Sequence, residues 1–338
     1  MLPSVIGHRG APGYRPEHTQ ASYRLAIALG ADAVEPDVVM TRDGVAVLRH
    51  ETELSDTTDV AAHPELADRH TVKQVGGREV SGWFCEDLTL AELKSLRAVE
   101  RLPERRPRNT RWNGCCEVLT LDELLLLVAE ESRRWDREVG LNIELKRSSY
   151  LASIGLPLED AVLASLRDHG LDRRDSGVVL QSFETGNLRR LRDRTDLPLV
   201  QLIESSGAPA DLVALGDPTT YDDLCSHDGL RAVARYADAL GVGRARLLAR
   251  PALVDDAHLA GLQVLGWTVR DDDPGGPELV DAEIRVLLDA GIDGLFTDHP
   301  DTTLLVRDAW AAERLSRAAG RTEGRAGGRT AAAAPGSA

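Results

Sequence analysis

The run Ser4–His8 ends in His8-Arg9-Gly10, and a second β-rich run, Ala33–Val39, carries Glu35-Pro36-Asp37. Residues two apart on a strand share a face, so Glu35 and Asp37 point the same way. Asp43-Gly44 between two β-rich arms is a hairpin signal. With that pair as the loop, Arg42 faces Val45, and the pairing runs back until Asp37 faces His50. Glu144 and Lys146 repeat the two-residue spacing at the end of Gly140–Lys146. Convergent strand ends would gather three carboxylates, two imidazoles, an arginine and a lysine at one mouth. Two carboxylates about 4 Å apart repel by roughly 4 kcal/mol at an effective dielectric near 20, so three together must take up protons or a cation. Oxygen-only ligands favour a hard ion, Mg2+ or Ca2+, over zinc. That ion, with Arg9 and Lys146, makes a positive pocket suited to a phosphate. His8 and His50 beside it can act as general base and general acid, and the chemistry indicated is displacement at phosphorus.

Positioning these groups requires many strands that end together. β-rich runs at Ser4–His8, Ala33–Val39, Val45–His50, Gly140–Lys146, Gly177–Phe183, Leu197–Glu204, Tyr236–Gly241, Leu262–Arg270 and Ile292–Asp298 alternate with amphipathic stretches such as Glu17–Leu29, Leu121–Trp135, Leu158–His169 and Pro277–Ala290. Several runs are apolar until a polar residue at the C-terminal end, as at His8, Glu144, Gln181 and Asp298. No G-x-G-x-x-G follows a strand, which weakens a dinucleotide-binding sheet. The pattern favours a distorted (β/α)8 TIM barrel with its site at the strands' C-terminal ends. One arm of the Asp43-Gly44 hairpin is then the surplus ninth run, an antiparallel excursion. Residues 51–115, after the third run, lack regular alternation and have few apolar residues, so they read as a small rim insertion on a single domain of residues 1–315. From about 316 to 338 the Ala/Gly/Arg-rich composition predicts a disordered tail.

Among 338 residues, 55 are acidic and 40 basic, for a net charge of −15. A charge of that sign repels nucleic acid and anionic membranes, so neither is an expected partner; a small-molecule substrate is. No apolar run approaches the roughly 20 residues of a membrane span, and no signal peptide is visible at the start. Cys85, Cys115, Cys116 and Cys225 show no zinc-finger or C-x-x-C spacing, in keeping with reduced thiols and a cytoplasmic location.

In order along the chain, His8-Arg9-Gly10, Pro16-Glu17-His18-Thr19, Gly30-Ala31-Asp32, Glu35-x-Asp37 and Thr41-x-Asp43-Gly44-x-x-Val47-x-x-His50 resemble the glycerophosphodiester phosphodiesterase family. Glu144-Leu145-Lys146, Gln181-Ser182-Phe183, Gly266-Trp267-Thr268-Val269 and Gly291-Ile292-Asp293-Gly294-x-x-Thr297-Asp298-x-Pro300 continue the likeness, which spans roughly residues 4–308. The resemblance implies hydrolysis of glycerophosphodiesters to glycerol 3-phosphate and an alcohol. It implies His8 and His50 as the acid/base pair, Arg9 as phosphate holder, and Glu35, Asp37 and Glu144 as ligands of one divalent cation. Lys146 would lie beside the phosphate, with Gln181, Phe183 and Trp267 lining the pocket for glycerol or the leaving alcohol. Glu17 is expected to order the loop after His8. The chain departs from the family's usual pattern at His18, Glu51 and Asp56, which bears on contacts of the rim and insertion. A rival reading, a related barrel that removes lysophospholipid or sphingolipid head groups in the manner of phospholipase D, would need an apolar rim. A non-enzymatic phosphate-binding module would not need both histidines.

Overall fold

Parallel strands are covered on both faces, and the apolar runs of this chain meet that demand. A computed structural model describes residues 2–75 and 77–327. Its strands are β1 (Ser4–His8), β2 (Ala33–Glu35), β3 (Asp37–Met40), β4 (Ala46–Leu48), β5 (Thr71–Val75), β6 (Arg78–Gly82), β7 (Gly140–Leu145), β8 (Val178–Ser182), β9 (Leu199–Ile203), β10 (Ala239–Gly243), β11 (Gln263–Val269) and β12 (Gly294–Thr297). Pairing runs from β1 through β12, β11, β10, β9 and β8 to β7, then through β2 back to β1. Ala33 pairs with Gly140 and Asp37 with Glu144, so β2 and β3 lie along β7 in one register and form one stave, interrupted at Pro36. Pro36 has no N–H to give the ladder, but its carbonyl accepts from Glu144 N at 2.8 Å. Counted this way, eight parallel staves close the expected TIM barrel.

The surplus run is β4, antiparallel to β3 as expected, but the register differs by one residue. Val38 pairs with Leu48 and Met40 with Ala46, so Arg49, whose N–H donates to the Asp37 carbonyl, stands across from Asp37. Thr41 faces Val45, and the loop is Arg42-Asp43-Gly44 with Gly44 left-handed at φ +80°. A three-residue loop with glycine in that conformation is the next most common hairpin closure after two-residue turns. The Asp-Gly signal located the turn; the Thr41 hydroxyl, which accepts from Val45 N at 3.0 Å, lengthened it. His50 therefore lies past the last paired residue. Strand β10 also begins three residues later than the sequence pattern indicates.

The insertion follows the third extended run, which in barrel count places it between the second and third staves. It contains the hairpin β5–β6 and a small apolar cluster that it shares with the barrel. Leu54, Leu88, Leu93 and Leu96 are buried against Val39 and Val47, the outward side chains of β3 and β4. The barrel hairpin completes a core that the insertion alone is too poor to form. The helix Leu121–Arg134, opened by a Thr120/Glu123 capping box, returns the chain to β7. The last helix, Pro300–Gly327, runs into the Ala/Gly/Arg-rich segment; residues 328–338 of that segment lie outside the described residues. No described helix is long and apolar enough to cross a membrane.

At Gly10, φ is +94° and an added Cβ would meet Ser22 Oγ at 2.5 Å and the Ser22 carbonyl carbon at 2.7 Å. At Gly44 a Cβ meets nothing within 4 Å. Urea unfolding of Gly44→Ala should show a loss of about 1 kcal/mol from left-handed strain alone. Gly10→Ala should lose clearly more, because backbone must also move. Equal losses would show that the approach of this loop to the first helix is not tight.

Candidate active site

Strand register assembles the site from adjacent staves. His8 on β1 is the Cα partner of Glu35 on β2, Asp37 on β3 is that of Glu144 on β7, and Glu144 that of Gln181 on β8. Glu35, Asp37 and Glu144 are buried, and each offers an oxygen within 4.8 Å of the others. Burial pushes the Glu35 carboxyl well above its usual range, with Asp37 and Glu144 adding to the effect. Burial likewise lifts Glu144 to about 8, against the pull of Lys146 and with a push from Asp37. Burial would raise Asp37 too, but Lys146, His50 and Arg9 outweigh it and hold that carboxyl well below its usual value.

Cations frame the carboxylates. Arg9 has a left-handed backbone, φ 54°, which turns its N–H onto Glu35 Oε2 at 2.9 Å while Nε lies 3.2 Å from Asp37 Oδ2. Lys146 Nζ donates to Glu144 Oε1 at 2.6 Å and lies 3.5 Å from Asp37 Oδ1. Asp37 Oδ1 is buried without a hydrogen-bond partner. An orphaned carboxylate oxygen beside two protonation-prone carboxyls is the donor set of a hard divalent cation, and the residues fit one.

Each histidine has a carboxylate beside its Nδ1. His8 Nδ1 is 2.6 Å from Asp298 Oδ1, and His50 Nδ1 is 2.7 Å from Glu51 Oε1. At His8 the carboxylate acceptor makes Nδ1 the protonated nitrogen and leaves Nε2 for chemistry, whereas His50 Nδ1 lies close to Glu51 without an aligned hydrogen bond. Burial, with Arg9 next, lowers His8 to about 4; burial, Arg9 and Lys146 lower His50 to about 3. Both are neutral near pH 7.

His8, Arg9, His50, Glu35, Glu144 and Lys146 line one cavity of about 350 Å³. Gln181, Phe183 and Trp267 line the same cavity, whereas Asp37 closes the carboxylate cluster beneath it. Gln181 Nε2 reaches Glu35 Oε1 at 3.4 Å, so this side chain touches the carboxylate group directly. Phe183 and Trp267 meet edge to face with centroids 5.6 Å apart, and Trp267 Nε1 donates to the Gly241 carbonyl at 2.9 Å. All ten residues singled out from the sequence thus come together. His50 reaches the cavity from beyond the hairpin ladder and not from the cross-strand position that the two-residue turn implied.

Other contributors carried weaker signals. Asp298 was visible as a polar strand end, but nothing in the pattern tied it to His8. His18 proves to be fully buried, not part of the rim, with Nε2 2.9 Å from Asp37 Oδ2 and Nδ1 2.8 Å from the Tyr23 hydroxyl. Glu17 orders the loop as expected, accepting from Arg9 Nη1 at 3.0 Å. Arg101 and Arg106 of the insertion, which bond Glu17 and Asp298, have no sequence signature.

The chain matches the model of the Glycerophosphoryl diester phosphodiesterase family over residues 8–302. Among its relatives, Glycerophosphodiester phosphodiesterase GDPD6 of Arabidopsis thaliana is 31% identical, over 88% of this chain and 83% of its own. A glycerophosphodiester phosphodiesterase of Haemophilus influenzae is 28% identical over 88% of each. A crystal structure from Silicibacter pomeroyi, assigned to the glycerophosphoryl diester phosphodiesterases, superposes with TM-score 0.68 at 28% identity, covering 92% of this chain and 94% of that one.

Raised Glu35 and Glu144 carboxyls hold protons that an entering cation must displace, so cation affinity rises with pH and falls as these groups protonate. Calorimetric titration with Mg2+ or Ca2+ should show binding weakening from pH 8.5 to pH 6, by about tenfold per unit for each proton displaced. Glu144→Gln should bind more weakly and with a shallower pH slope. Affinity independent of pH would contradict the proton load assigned to the cluster.

Proposed function

Because the chain belongs to the glycerophosphoryl diester phosphodiesterase family, we propose that it hydrolyses glycerophosphodiesters to glycerol 3-phosphate and an alcohol, with His8 and His50 passing the protons. The observation that carries this reading is one cavity holding two imidazoles, each with a carboxylate beside it, with Arg9 and Lys146 around three buried carboxylates. Glu35, Asp37 and Glu144 would hold one divalent cation, Mg2+ or Ca2+, which when bound supplies Lewis-acid charge opposite the phosphate oxygens.

The remaining chemistry belongs to the chain. Arg9 and Lys146, both largely buried and already ion-paired, present preorganised positive charge to a phosphate anion. Phe183 and Trp267 offer apolar faces to the carbon skeleton of glycerol or of the alcohol. Neutral His8 or His50 takes the proton from the attacking oxygen through Nε2, while the other imidazole gives a proton to the departing alkoxide as the P–O bond breaks. Both start neutral, so one must be charged before it can act as the acid. An anionic diester bound between them supplies the negative charge that raises both imidazoles toward protonation. Four free cysteines accord with a reducing, cytoplasmic setting, and we take residues 1–315 as one catalytic domain with residues 51–115 as its rim insertion.

The direct test is product release from glycerophosphocholine, glycerophosphoethanolamine and glycerophosphoglycerol. His8→Ala and His50→Ala should each lower kcat by about 10²–10⁴-fold, the usual yield of one acid/base group, with an unchanged melting temperature. Near-native turnover in either variant would remove that histidine from the reaction. Excess chelator should abolish activity, and Mg2+ or Ca2+ should restore it; full activity in chelator would remove the cation.

A further inference from the structure

Two arginines of the insertion, Arg101 and Arg106, stand one residue away from the pair His8-Arg9 and are absent from the cavity lining. Arg106 is buried, and its guanidinium joins three barrel segments. Nη1 donates to the Pro12 carbonyl at 3.0 Å. Nε and Nη2 grip Asp272 at 2.6 and 3.2 Å. Nη2 also donates to Asp298 Oδ2 at 2.5 Å. The other oxygen of Asp298 holds His8 Nδ1. Arg101 is bidentate on Glu17, at 3.0 and 2.7 Å, and Glu17 holds Arg9.

We infer that Arg106 is a positioning residue for His8: by fixing the Asp298 carboxylate from the insertion side, it sets the ring orientation of the imidazole in the reaction. Arg101 does the same for Arg9 through Glu17. The inference rests on the phosphodiesterase reading above. A carboxylate that is buried and bonded through one oxygen only can turn about its terminal torsion. Asp298 cannot, because Arg106 and Arg270 Nε, the latter at 3.0 Å, occupy Oδ2. A planar fork with all its nitrogens engaged is something arginine provides and lysine does not. Arg106 and the groups it grips, Pro12, Asp272 and Asp298, do not line the cavity, whereas His8 and Arg270 do, so loss of Arg106 should appear in turnover more than in binding.

Wild-type turnover of glycerophosphocholine tests the activity itself; Arg106 variants test positioning and are read only against that rate. Arg106→Ala and Arg106→Lys should lower kcat by up to about 100-fold, the scale of an ångström misplacement, with KM within about twofold. In an Asp298→Ala background, Arg106→Lys should cause little further loss, since the group through which it acts is gone. Asn109→Ala, which loses the neighbouring bonds to Pro12 and Glu100, should melt lower yet keep its kcat. Millimolar guanidinium should restore part of the turnover of Arg106→Ala. If that variant does not fold, Arg106→Lys and the double variant carry the test. A lowered melting temperature with native kcat, or an equal loss with and without Asp298, would overturn the inference.

Discussion

Three carboxylates sharing one buried mouth repel one another, and this repulsion governs the rest of the molecule. At the separation of Glu35, Asp37 and Glu144 each ionised pair costs at least about 3.5 kcal/mol at an effective dielectric near 20. Such a cluster survives only if the backbone that carries it is held from elsewhere. The barrel supplies that restraint through ladder registers on both sides of Pro36, and Arg9 and Lys146 balance part of the charge. Burial, helped by Arg9 at both imidazoles and by Lys146 at His50, lowers the two histidines, so the charge arrangement around the carboxylates also leaves both neutral at rest.

Much of this was legible in the sequence because strands impose a period of two. Glu35 and Asp37 share a face, and Glu144 and Lys146 follow the same spacing on the neighbouring stave. The eightfold alternation and the surplus hairpin arm could also be read, since Asp43-Gly44 between β-rich arms admits few alternatives. The one-residue error in register came from a local hydrogen bond of Thr41 that competes with the tight turn, and composition does not reveal which closure wins.

What could not be read were partnerships across long separations. Asp298 meets His8 across 290 positions, and Arg106 meets Asp298 across 192. Neither pairing leaves a periodic trace, because it depends on how the barrel closes and where the insertion folds back. His18 illustrates the converse. In its motif it marked a departure bearing on the rim, yet it is buried beside Asp37 and completes a chain to Tyr23.

The insertion's core is completed by Val39 and Val47, which belong to the barrel. One β-hairpin therefore serves two hydrophobic interiors, with the Asp37 carboxylate on its inner side and borrowed packing on its outer side. Shortening this segment, or exchanging it for that of another barrel, would uncover apolar surface on the hairpin that carries Asp37. A recombined enzyme would have to inherit the rim and that stave as a single unit.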